Sequence, residues 1–154
     1  KLTGEQVFEA LVLATGLPNF TPPPVKATGA FRFPPPPKST CDLVVDKFGF
    51  DPSYAPEEVT RTMGQAMLLM NNTQLQAQIN ADPKSNTRLA KLLEAEADDT
   101  KALVVLFEQV LARKPNEKEI KLSLEHIASV GKRGEAYEDL LWSLINSAEF
   151  TTRR

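Results

Sequence analysis

The chain has 154 residues, 42% of them hydrophobic, with 18 basic and 20 acidic side chains and a formal net charge of -2. That length supports one substantial core and not two, and the balanced charge, with no long basic run, excludes the clustered cationic footprint that nucleic acid requires. A single cysteine, Cys41, excludes an intrachain disulfide, a paired-thiol metal site and a haem-attachment Cys-x-x-Cys-His.

The chain opens at Lys1 on a capped helix, with no charged leader, which is the expected appearance of a piece cut from a larger protein. Thr3 and Gln6 form a capping box, Val7, Leu11 and Ala14 follow at helical spacing, and Gly16 supplies a left-handed stop, so the first helix is expected over 4–15. Residues 17–38 then hold eight of the 12 prolines. Proline lacks an amide donor and fixes one dihedral, so this segment is read as extended. It could be a docking ligand for an aromatic-lined groove or a strap across its own domain. The interleaved Val25, Phe31 and Phe33 favour the strap, because they need a place to bury.

Ser39 or Thr40 caps a short helix to Phe48 with Leu43, Val44 and Phe48 inward, although Leu43-Val44-Val45 also suits a strand. Pro56, Glu57 and Glu58 fit the first turn of the next helix. Val59, Met63, Met67 and Met70 recur on one side of it, with Ala66 and Leu69 on the other, which predicts a central helix with a buried methionine face. The pair Asn71-Asn72 reads as a hinge, followed by a capping box of Thr73 and Gln76. Ser85 or Asn86 is expected to cap a helix with Leu89, Leu92 and Leu93 inward. Asp98 or Asp99 caps another, whose stripe of Leu103, Leu106, Phe107, Val110 and Leu111 runs to Arg113. Asn116 and Glu119 form a third box ahead of Ile120, Leu124, Ile127 and Ala128, and Gly131 ends that helix. A last helix over 135–148 turns Tyr137, Leu140, Leu141, Leu144 and Ile145 inward, so Asp98 to Phe150 reads as a three-helix unit with short, antiparallel connections. The whole is expected to be an all-α compact bundle of six to seven helices, one domain over 1–154 with the proline-rich strap between its first two helices. No stretch approaches the roughly 20 apolar residues that span a bilayer.

Chemistry is sparse. His126 is the single histidine, on an amphipathic helix, and a catalytic or ligand role would need an orienting carboxylate such as Glu125 or Asp99. A solvated surface histidine is the simpler reading. Cys41 has no neighbouring base in sequence and reads as a small buried side chain. The carboxylate pairs Glu57-Glu58 and Asp98-Asp99 are accounted for by helix starts. Neither calcium nor zinc ligand spacing is present, and no glycine-rich phosphate loop occurs. The sequons Asn19-Phe20-Thr21 and Asn71-Asn72-Thr73 are read as chance.

The opening Lys1-Leu2-Thr3-Gly4-Glu5-Gln6, closed by Ala14-Thr15-Gly16, together with Phe50-Asp51-Pro52-Ser53, the helix Gln65-Ala66-Met67-Leu68-Leu69-Met70-Asn71 and the ending Leu140-Leu141-Trp142-Ser143-Leu144-Ile145-Asn146-Ser147-Ala148-Glu149-Phe150, resembles the C-terminal domain of the large planctomycete-type secreted proteins called cytochrome-c-associated. The blocks occur in that family's order and span nearly the whole chain. The resemblance implies a domain of unknown function in exported multi-domain proteins, often beside a second uncharacterised helical domain, and carries no catalytic residue across. The haem module's Cys-x-x-Cys-His is missing here, so haem binding does not transfer. The block from Arg113-Lys114-Pro115 to Glu149-Phe150 also looks faintly like a short helical domain of bacterial surface proteins.

The expected function is a non-catalytic helical interaction or scaffold module of an exported bacterial protein, periplasmic or at the cell surface. Its expected partners are the neighbouring domain and a cell-surface polymer, with no nucleic acid and no cofactor or metal in this chain. The alternative is the accessory half of a polysaccharide-active or redox enzyme whose active site lies in the upstream domain. Under that alternative Thr60, Arg61 and Gln65 face a cleft, and Arg61 and Gln65 are the candidate binding residues.

Overall fold

Most helices among the described residues start where a short polar side chain satisfies the orphan amides of a first turn. The computed structural model describes residues 2–17, 39–49 and 63–151. Among them are nine α-helices, seven of at least seven residues, and no strand, so the chain is all-α. The expected strap over 17–38, apart from Leu17, and the helix start at Pro56 lie outside the described residues.

Helix α1 (Gly4–Thr15) begins on the Thr3/Gln6 capping box and ends on Gly16, whose φ of 77° suits glycine. It lies against α2 (Thr40–Phe48), which Ser39 and Asp42 box in the same way, so the strand alternative for residues 43–45 is set aside. Gly4 permits the close approach. A Cβ there would stand 2.7 Å from both Cα and O of Val45. The Leu2 amide donates to the Thr151 carbonyl at 3.2 Å, joining the start of α1 to the far end of the bundle.

Helices α3 (Met63–Asn71) and α4 (Thr73–Gln78) make a corner, with Asn72 rather than Thr73 as the cap of α4: its side chain accepts from the Leu75 amide at 2.9 Å. Next, Pro83–Ser85 form a 3-10 turn, and Asn86 is left-handed at φ 54°. Both residues expected to cap α5 (Arg88–Ala95) are used up in that turn, and Thr87 caps it instead. Asp98 caps α6 (Asp99–Leu111), accepting from the amides of Thr100 and Lys101. That helix stops two residues short of Arg113 because Ala112 turns left-handed at φ 54°. Helix α7 (Glu117–Val130) starts on the Asn116/Glu119 box and ends on Gly131 at φ 74°. The last expected helix is split: α8 (Arg133–Ile145) and the single turn α9 (Ala148–Thr151) are separated by Asn146 and Ser147.

The core is built from α1, α6 and α8. Val7, Ala102, Leu103, Ala136, Tyr137 and Ile145 are fully buried, and Leu11, Leu141 and Phe48 close behind them. Each large side chain removed from water stabilises the fold by about 1.5–3 kcal/mol, so these three helices carry most of the hydrophobic driving force. Around them α5 and α7 pack on α6 and α8. The expected buried face of α7 is only half covered: Ser123 is its one buried residue, Ile120, Leu124 and Ile127 are partly exposed, and Ala128 is exposed.

The largest departure from expectation is α3. It is peripheral, packing on α2 and α4, and its inward residues are Gln65 and Leu69. Met63, Met67 and Met70 are 80%, 53% and 52% exposed, so the methionine face is a surface and not core. The helix is rotated because, on the other side, Leu69 enters the core and the Gln65 amide reaches α2.

Candidate interaction surface

The α3 face is held from behind. Gln65 is buried, and its Nε2 donates to the Lys47 carbonyl at the end of α2 at 2.9 Å. That bond satisfies one of the carbonyls left open in the last turn of α2. At the other end of α3, Gln76 Nε2 donates to the Met70 carbonyl at 2.6 Å, and Asn72 Nδ2 donates to Thr40 Oγ1 at 3.4 Å. Thr40 in turn donates to Gln74 Oε1. The corner of α3 and α4 is therefore pinned to both ends of α2 by neutral amides and hydroxyls, with Leu69 and Leu75 buried between them. Methionines 63, 67 and 70 stand at i, i+4 and i+7 on the exposed side, a span of about 10 Å along the axis at the usual helical rise. The unbranched thioether makes such a face adaptable to many shapes of apolar surface.

Of the two candidate binding residues, Gln65 has its amide in the contact with α2, and Arg61 lies outside the described residues.

Among the described residues the ion pairs of the arginines lie away from α3. Arg113, in the turn after α6, forms a fork with Glu119 (Nη2 to Oε1, 2.6 Å) and Glu149 (Nε to Oε1, 2.7 Å) and lies 5.7 Å from the Phe107 ring centroid. The Glu119 bonds, then those of Glu149, push its already basic guanidinium further up. Glu119 also accepts from the Asn116 amide at 2.7 Å, so one carboxylate closes the capping box and anchors the arginine. At the opposite end Arg133 bonds Asp99 at 2.7 Å and donates to the carbonyls of Leu93 and Glu96, capping α5. Tyr137 donates to the Asp99 carbonyl at 3.0 Å. Burial, and then the Asp99 carboxylate, hold its phenol well above the ordinary value. Asp99 is thus an inter-helix tie as well as a first-turn acid.

His126 meets Asp139 on α8, with Nε2 and Oδ2 3.3 Å apart at the surface. Asp139 takes the place of Glu125 and Asp99, the carboxylates suggested by sequence. The partner stands 13 residues away on the neighbouring helix, a distance that local spacing does not reveal. Cys41 is partly buried against the core, and burial, then Asp42 and Glu5, raise its thiol pKa, which disfavours the nucleophilic thiolate. Among the described residues no three His, Cys, Asp or Glu side chains are grouped to hold a metal ion, and no helix is long and apolar enough to cross a membrane.

Comparison with family models, curated proteins and solved structures gives no match. The methionine face is what sequence reading missed. Its signal was Gln65: a glutamine on the same side as Leu69 marks where an inter-helix hydrogen bond is made, and hence which side of α3 faces inward.

Proposed function

We propose that this chain is a non-catalytic helical interaction module of an exported multi-domain bacterial protein, and that it packs on its neighbouring domain through the methionine face of α3. The observation that carries the reading is the exposure of Met63, Met67 and Met70 on a helix whose other side is pinned to α2. A helix needs only one apolar face to join a bundle, and α3 already has Leu69 there. Three further large apolar side chains stand exposed on the opposite side and are suited to an interface. The exported setting rests on the sequence blocks that resemble the planctomycete-type secreted proteins. The accessory-enzyme alternative would draw on a polar cleft at Arg61 and Gln65, and the Gln65 amide is engaged with α2.

The test is binding of the chain to the adjoining domain of its parent protein, measured by calorimetry with wild type and with Met67→Lys. The expected result is at least a tenfold loss of affinity, about 1.4 kcal/mol or more, with the fold intact. Equal affinity of the two proteins would overturn the reading.

A further inference from the structure

All three methionines of the chain lie on one helix, and all three are more than half exposed. The leucines beside them are placed differently: Leu69 is buried at 1% exposure and Leu68 is packed partly against the core. Thioether oxidation is governed by access, and the products differ sharply from the reactant, since a sulfoxide is polar and chiral where the thioether is apolar. In a core that change disrupts packing. On α3 it falls on a face that is more than half exposed, while Leu69, Gln65 and the Gln76 amide hold the helix from its other side and its end.

We propose that Met63, Met67 and Met70 form an oxidation site for two-electron oxygen donors such as hydrogen peroxide or hypochlorous acid, one whose modification converts the face from apolar to polar while leaving the bundle folded. In the peroxide reaction the sulfur lone pair attacks the distal oxygen, the O–O bond breaks, sulfur is oxidised by two electrons and gains one oxygen, and the peroxide leaves as water. Three sulfoxides along about 10 Å of helix place three strong dipoles where three apolar side chains stood. The proposal requires solvent access and an independent core. It stands whether or not the face binds a partner.

The experiment treats the folded chain with excess hydrogen peroxide, quenches at intervals, and locates each added oxygen by peptide mass spectrometry, which separates methionine products from those of Cys41. Circular dichroism and the urea midpoint are followed on the same samples. The expected result is that all three methionines oxidise within about threefold of their rates in the urea-unfolded chain, with helix content and midpoint retained, and that sulfoxide reductases reverse the change. Leu69→Met, a swap of similar volume, supplies an interior control whose thioether lags by about tenfold or more. Two results would overturn the proposal: protection of Met63, Met67 or Met70 by about tenfold in the folded chain, or loss of helix in step with oxygen uptake. The folded-against-unfolded rate ratio decides the matter even where the variant does not fold.

Discussion

In α6 and α8 the large apolar side chains point inward and the ends are fastened by arginine: Leu103, Tyr137 and Ile145 are fully buried, while Arg133 and Arg113 grip carboxylates and carbonyls of the flanking turns. In α3 the opposite arrangement holds, with a glutamine and a leucine inward and three methionines in solvent. Helices α3 and α6 have similarly apolar sequences. They differ in which side the polar ties lie on, and so the burial of a helix face is set by its hydrogen-bonded anchors as much as by its hydrophobic period.

That contrast can be broken most forcefully in the core. Leu103→Ala is expected to cost about 3–4 kcal/mol by urea denaturation, since it leaves a cavity among fully buried neighbours. Met67→Ala is expected to stay within about 0.5 kcal/mol of wild type. Equal losses would erase the distinction between the regions. A smaller effect, about 2 kcal/mol, is expected for Arg133→Ala, which strips Asp99 and the carbonyls of Leu93 and Glu96 of a shared donor. An unchanged urea midpoint would show that the arginine tie is incidental.

Tyr137 sharpens the comparison through pH. An unfolded tyrosine releases its proton near pH 10, whereas the folded phenol is held protonated beyond that by burial and by Asp99. Above about pH 10 the unfolded state therefore binds fewer protons, and stability falls as pH rises toward the folded-state value. The contribution is present in full below that window. Each unit of pH within it removes about 1.4 kcal/mol. Tyr137→Phe should lose about 1 kcal/mol at neutral pH, with its hydrogen bonds to Asp99, and show a shallower alkaline decline. Parallel pH profiles for variant and wild type would remove Tyr137 from the account.

Much of the architecture was legible in the chain. Thr3 with Gln6, Asp98, and Asn116 with Glu119 marked helix starts, because capping is local and its chemistry is written within four residues. Gly16 and Gly131 marked ends for the same reason. What was not legible depended on contacts across the fold. The α5 cap moved to Thr87 because Ser85 folds back onto the Asn80 and Asp82 carbonyls. Ala112 holds a left-handed conformation that glycine would take more easily, and Arg113 beside it is fixed by two carboxylates, which over-determines the turn. The orientation of α3 was misread because its apolar residues surround the helix, and the inner side is marked by the bond from Gln65 to Lys47, 18 positions away, together with the burial of Leu69. Of the two candidate binding residues, one lies in that bond and the other outside the described residues.

The account rests on the methionine face of α3 being surface. The most direct measurement is urea denaturation of a chain carrying Met63→Gln, Met67→Gln and Met70→Gln together, since glutamine keeps helix propensity while removing the apolar face. The account predicts unfolding free energy within about 1 kcal/mol of wild type. A loss beyond about 3 kcal/mol, the scale of emptied core positions, would contradict it.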